Sequence, residues 1–434
     1  IDVETGHVVR ALVAIGQNRA KLSDAYNALQ AKDRSSGLVD SDRQERELDL
    51  LKAALPTVIN PLHWQEFIRS VQTAGFRSRK GITSNTNIVA CYIFFLLGRT
   101  RYAVDLQKLR VLTARWLFMS QLTSRYTGSG ESQLQKDLDK FGALAANDAQ
   151  GFSDLVDETI ATELTADYWS YRLPDLLITS IAALSPAYQC YLAALNAVDA
   201  DMFMLDMKVR DWMDPNMPFV KGVEGHHLFP RAYQEKVLGT DDLKRINQAA
   251  NFAPTDWDTN ILISDDAPSD YWPKLVAARG KNAEWLARQY YWHALPQGWE
   301  SLDYDDFLVQ RRRLIAQVIR DGFEKLSRGE IVEPTETSQE TPELVEPTLG
   351  ELIEHNLLRP GDFLDPVDPD WQVDAIITED GTLLIDGVQE FDSLDEAAHY
   401  LKVSNMTGFE FWALETESGI VPLRELVGEP TAGA

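Results

Sequence analysis

Two adjacent histidines, His226 and His227, stand in the segment GVEGHHLFPRAY. Imidazole is the side chain best matched to proton transfer near neutral pH, and it is a common metal ligand. Neighbouring side chains of an extended segment leave on opposite faces, so one ring can hold a metal while the other faces a substrate. Two histidines packed in a core would give the same pattern. The other five histidines are scattered along the chain and carry no assigned role. Downstream, INQAANFAPTDWDTNILISDDAPSDYW places Asn251 and Asn260 nine residues apart. Asp265, Asp266 and Asp270 have the composition of a cation cluster but read as turn and helix-cap residues.

The elements that must position these residues differ along the chain. Residues 1–212 carry apolar residues at three- and four-residue spacings in LDLLKAALPTVI, DLQKLRVLTARWLFMSQL and LPDLLITSIAAL, which predicts helices there. Leu109, Leu112, Trp116, Met119 and Leu122 make one such stripe. Residues 213–285 change character: six prolines and many Asn and Asp predict a compact irregular module. Helix resumes in YDDFLVQRRRLIAQVIRDGFEKLS, where the side chains of Arg311, Arg312 and Arg313 point in three directions and form no single patch. Residues 328–347 hold three Pro and six Glu with few large apolar residues, a linker composition. A small α+β pattern follows. It has a hairpin signal at Asp380-Gly381 and a helix capped by Ser393 with Glu396 completing the box.

Composition bounds the function. The chain has 434 residues, 44% hydrophobic and 25% charged, which excludes wholesale disorder. Cys91 and Cys190 are too few for a disulfide framework or a cysteine zinc cage and suit a reducing cytoplasm. The longest apolar run, Ile88–Leu97, is half of a membrane span, and no signal-peptide pattern opens the sequence. The chain opens on Ile1, which predicts a fragment of a longer protein. The net charge of −26 is unevenly spread. Residues 329–434 hold 25 acids and three bases, whereas residues 69–125 hold ten bases and one acid. Arg77, Arg79, Lys80, Arg99, Arg101 and Arg115 are the candidate phosphate contacts in that basic stretch.

The arrangement His226, His227, LFP, Asn251, Asn260 resembles the HNH nucleases of the ββα-metal group. The resemblance implies His227 as the general base that activates water, with His226 and Asn260 as ligands of a divalent cation. Mg²⁺ or Mn²⁺ is expected, and Ni²⁺ or Co²⁺ also suits an imidazole ligand. It further implies that Asn251 ties the connection between two strands through side-chain to backbone hydrogen bonds. The implied fold is mainly α with an embedded ββα-metal module and a separate small α+β C-terminal domain.

More specifically, the region resembles the nuclease half of GmrSD/SspE-like modification-dependent restriction proteins of phage defence. FRSRKGITSNTNIVACYIFFLLGR and RWLFMSQLTSRYTGSGESQLQKDL look like the helical segment joining the halves of that family. Such proteins usually begin with a nucleotide-hydrolysing domain bearing a DGQQR-type motif; neither that motif nor a Walker A loop occurs in this sequence. Residues 348–428 resemble the RAMA domain through LIEHNLLRPGD, DGTLLIDGVQEFDSLDEAAHYL and NMTGFEFWALETESG, with Asn405, Gly408 and Trp412 in the aromatic run. Met406 and Thr407 separate an Asn and a Gly that the family usually keeps adjacent.

The organisation expected is therefore a helical DNA-positioning domain (1–212), an HNH module with closing helices (213–327), an acidic linker (328–347) and a RAMA-like domain (348–428). The expected activity is metal-dependent cleavage or nicking of phage or other foreign DNA in the cytoplasm, with no membrane partner. Two alternatives stand beside it. One is a regulatory module that senses DNA modification or a partner, or whose acidic tail covers the basic stretch. The other is a structural protein with a degenerate nuclease fold.

Overall fold

The computed structural model describes residues 5–32, 38–77, 81–82, 84–180, 185–213, 224–256, 259, 263, 266–328, 348–354, 357–367, 373, 375–401, 407–416 and 419–423. The chain is mainly helical and divides into two compact units, Ile1–Pro334 and Thr335–Ala434.

The first unit is built around helices that bury more than one face. In Asn85–Leu96 every residue from Asn87 to Leu96 is buried, so the longest apolar run of the sequence is a core helix. Among the described residues no helix is long and apolar enough to cross a membrane. The stripe Leu109, Leu112, Trp116, Met119 and Leu122 is buried in the helix Leu106–Leu122. Asp105 caps that helix by accepting from the backbone N–H of Gln107 at 3.0 Å. Ser84, Ser185 and Asp303 cap Asn85–Leu96, Pro186–Ala197 and Tyr304–Ser327 in the same manner. Tyr304–Ser327 lies against Pro186–Ala197 at close range. A methyl group added at Gly322 would meet Ala194 Cβ at 2.7 Å, so glycine is what lets the two helices approach. Cys91 and Cys190 are both buried thiols; burial pushes Cys91 up to about 12.

One hydrophobic core runs from Ala11 to Leu326, so residues on both sides of position 212 share it. The irregular module is held within that unit rather than set beside it. The expected helix over LPDLLITSIAAL is cut short. Among the described residues it covers only Leu173–Leu176. Beyond it the chain is used as an edge: Thr179 O accepts from Ala249 N at 3.0 Å, and Ser180 bridges Gln248. Apolar periodicity gives way here because these backbone groups pair with the module instead of with their own turn.

The second unit has a six-stranded antiparallel sheet. Its strands are β3 (Phe363–Pro366), β4 (Ala375–Ile377), β5 (Leu383–Ile385), β6 (Gln389–Phe391), β7 (Trp412–Thr416) and β8 (Gly419–Pro422), in the order β6-β5-β4-β3-β7-β8. Strands β1 (Glu224–His227) and β2 (Phe252–Thr255) belong to the first unit. The β4–β5 hairpin turns at Gly381, whose φ of 80° is left-handed. Leu364, Ala375, Ile377, Leu383 and Ile385 share a core with Leu394, Ala397 and Ala398 of the helix Leu394–Tyr400. Ser393 caps this helix by accepting from Glu396 N at 3.1 Å. The short helix Gly408–Phe411, which leads into β7, meets the helix Leu394–Tyr400 at Gly408, where a methyl group would lie 2.2 Å from the backbone carbonyl of Leu394. Gly408→Ala should therefore destabilise the second unit by roughly 1–3 kcal/mol. Hydrogen exchange is expected to show lost protection across the second unit and unchanged protection in Tyr304–Ser327; unchanged protection around Leu394 would contradict this account.

Candidate active site

Strand β1 (Glu224–His227) pairs antiparallel with β2 (Phe252–Thr255), with His226 opposite Ala253 and His227 opposite Phe252. The ladder runs one residue further, as Leu228 N donates to Asn251 O at 2.8 Å. Alternation then sends the two imidazoles to opposite faces. His226 is 4% exposed, with its ring edge-on to Tyr271 at a centroid distance of 6.5 Å. His227 is half-buried, with its ring centroid 4.2 Å from that of Phe252. After the pair, Leu228 and Phe229 enter the core and Pro230 precedes the helix Arg231–Lys236. Tyr271, on the helix Pro268–Arg279, donates its hydroxyl to Leu228 O at 2.6 Å.

Asn251 is wholly buried at the entry to β2. Its Oδ1 accepts from Phe229 N at 2.9 Å, and its Nδ2 donates to Phe229 O at 3.1 Å and Ile246 O at 3.0 Å. One amide thus holds both ends of the connection between the strands to the base of β2. Next to it, Asn247 Oδ1 lies 2.9 Å from His227 Nε2. Burial lowers the pKa of His227 below its usual value, and the charge of Arg231 acts in the same direction. The hydrogen bond from Asn247 opposes them. The ring is neutral at neutral pH, the state a proton acceptor requires.

Asn260 lies outside the described residues. Thr259, just before it, is helical and buried, and its N–H donates to Asp256 Oδ1 at 2.8 Å, starting a turn directly after β2. Among the described residues no three His, Cys, Asp or Glu side chains come together as a metal-holding group. Asp265 is outside the described residues. Asp266 pairs loosely with Lys274 at 3.5 Å, and Asp270 stands in the first turn of Pro268–Arg279.

The basic stretch looks different folded. Arg115 pairs with Asp157 at 2.7 Å, Arg110 and Arg69 share Glu66, and Arg125 pairs with Asp137 and Glu163. Arg101 donates to Gly142 O at 3.1 Å. Arg77 is half-buried beside Gln72, Gly75 and Asn196, and Arg99 is exposed. Arg79 and Lys80 lie outside the described residues.

Asn247 and Tyr271 carry no role in the sequence-based reading, and Arg311 appears there only as one of three arginines that form no single patch. Arg311 is fully buried and donates to the carbonyls of Ala250 at 2.6 Å, Phe252 at 2.8 Å and His293 at 3.0 Å. A signal for it existed: Phe307, Arg311 and Ile315 fall on one apolar stripe at four-residue spacing. Arg312 donates instead to Gln248 Oε1 at 2.9 Å, and Arg313 is exposed.

Asn251→Ala leaves the N–H of Phe229 without its partner and removes one of two donors from the C=O of Phe229, which keeps Gln234, and from the C=O of Ile246, which keeps Tyr304, so it should cost about 1–3 kcal/mol. Denaturant unfolding checks this, and a loss within experimental error of zero would contradict it. His293 makes a second prediction. Burial, with the adjacent Arg311 charge acting in the same direction, pushes its pKa down from the ordinary 6.5 to about 3. The unfolded ring takes a proton below about pH 6.5, so the stability from the neutral buried ring is full above that pH and is lost as pH falls toward 3. The urea midpoint should decline from about pH 7 to about pH 4, and His293→Gln should flatten that decline; an equally steep decline in the variant would rule His293 out as its source.

Set against known protein families, characterised proteins and solved structures, the chain matches none of them.

Proposed function

We propose that the first unit carries an HNH-type site that hydrolyses phosphodiester bonds in DNA, within a modification-dependent restriction protein acting on phage or other foreign DNA. The observation that carries this reading is the imidazole of His227 at the end of β1, half-buried and hydrogen-bonded at Nε2 to Asn247 Oδ1. The strand pair, the connection tied by Asn251 and the helical turn after β2 support a ββα reading of the module.

In this reading His227 takes the proton of the attacking water. The P–O3′ bond breaks as water adds to phosphorus, and the departing oxygen gains a proton from solvent. The donor chemistry of His226 and Asn260, one imidazole nitrogen and one amide oxygen, fits a divalent cation that keeps several positions for water and phosphate oxygens. When bound, such a cation stabilises the charge that develops on the phosphate and the leaving oxygen. Tyr271 and Asn251 fix the backbone on which the two rings stand. Among the described candidate DNA contacts Arg99 is exposed, whereas Arg115 is partnered by Asp157.

The regulatory reading keeps one support, the acidity of residues 329–434. Its electrostatic version, with the tail covering residues 69–125, is weakened because Arg69, Arg110, Arg115 and Arg125 already have carboxylate partners.

Supercoiled plasmid incubated with Mg²⁺, Mn²⁺, Ni²⁺ or Co²⁺ tests the proposal. Wild-type protein should nick or cut it, chelation should abolish cleavage, and His227→Ala should lower the rate by about 10²–10⁴-fold. A folded His227→Ala protein cutting at the wild-type rate would remove His227 as the base. Parallel assays on modified and unmodified plasmid report whether a modification governs the cleavage.

A further inference from the structure

The hydrogen bond between His227 and Asn247 joins residues twenty positions apart. We propose that Asn247 is a positioning residue that holds the His227 imidazole as its Nε2–H tautomer and so turns the Nδ1 lone pair toward the reacting water. The inference rests on the reading of His227 as the base. An amide oxygen only accepts hydrogen bonds, so Asn247 Oδ1 at 2.9 Å requires a proton on Nε2. The neutral ring then carries its free electron pair on Nδ1, which has no hydrogen-bond partner among the described residues.

The scaffold around Asn247 is fixed from several sides. Its own N–H donates to Leu243 O at 3.0 Å, ending the helix Leu243–Ile246. Before it, the carbonyl of Arg245 accepts from the Tyr304 hydroxyl at 2.9 Å and that of Ile246 accepts from Asn251. After it, Gln248 accepts from Arg312 at 2.9 Å and Ala249 N donates to Thr179 O at 3.0 Å. A side chain mounted on so constrained a backbone holds its partner in one orientation. His227 is fixed equally well on the strand side, by its place opposite Phe252 in the ladder.

The test uses the full chain labelled with ¹⁵N-histidine, in metal-free buffer at a pH where the ring is neutral. The ring signals of His227 are identified by their loss in His227→Gln. In the wild type, long-range ¹H–¹⁵N spectra should show a protonated-type Nε2, a bare Nδ1 and a slowly exchanging Nε2 proton. Asn247→Ala should draw the two nitrogen shifts together and speed the exchange of that proton. Asn247→Asp, which also accepts, should restore the locked tautomer. An Nδ1–H ring in the wild type, or an Asn247→Ala spectrum equal to wild type, overturns the proposal. In the cleavage assay Asn247→Ala should lower kcat about 10–100-fold with KM little changed, and Asn247→Asp should recover most of that loss. An unlocked ring with unchanged kcat likewise overturns the positioning role. A wild-type protein that cuts nothing with any cation overturns the hydrolysis reading instead, and the ring spectra still decide whether Asn247 fixes the tautomer.

Discussion

A guanidinium buried away from solvent governs the architecture of the first unit. Arg311 is fully buried, and among the described residues none of its bonds is to an acid. Burying a lone cation is costly unless its donors are met. Here they are met by backbone carbonyls, and burial lowers its pKa against the opposing effect of Tyr191, Tyr188 and Tyr271. The three carbonyls come from Ala250 and Phe252, on either side of Asn251, and from His293 at the end of Ala283–Trp292. One side chain on the closing helix therefore fixes the start of β2 and the end of a neighbouring helix together.

That bond also resolves a problem of sheet edges. A two-stranded pair is marginal alone, and its outer edges offer unpaired backbone groups. On the edge of β2 away from β1, Phe252 O is taken by Arg311 and Pro254 O accepts from Phe203 N at 2.8 Å. Thr255 returns the contact by donating its hydroxyl to Phe203 O at 3.0 Å. The strand pair is thus finished by a helix side chain and a loop backbone in place of a third strand. This explains why the module shares the core of the helical unit and why its two histidines sit on a surface that cannot slide in register.

Much of this was legible in residue order, for definable reasons. Stripes such as Leu109, Leu112 and Trp116 are read directly because burial of one face imposes a helical period. The Ser393 cap and the Asp380-Gly381 turn are read because local backbone groups demand those residue types. The HH pair and Asn251 stand out because their neighbours are patterned. What pattern does not carry is partnership across the fold. Nothing in the sequence links His227 to Asn247, Ser180 to Gln248, or Arg115 to Asp157. The helix expected through residue 184 ends early for the same reason: its backbone partners lie in the module. Arg311 stands between the two cases, since its place on an apolar stripe is visible while the carbonyls it meets are not.

The distinction matters most for charge. Counted along the chain, residues 69–125 are strongly basic. Counted in space, four of those bases meet Glu66, Asp137, Asp157 or Glu163, acids that lie outside the stretch. A base already partnered by a carboxylate contributes little to the field seen by an approaching phosphate, because the pair acts as a dipole whose reach is shorter than that of a charge. Residues 329–434 have no such compensation available within themselves, with three bases against 25 acids. A polyanion meets like charge across that part of the chain. Attraction for a polyanion must therefore come from bases elsewhere, and on the proposed reading the cations of the first unit, exposed Arg99 among the described ones, would have to supply it.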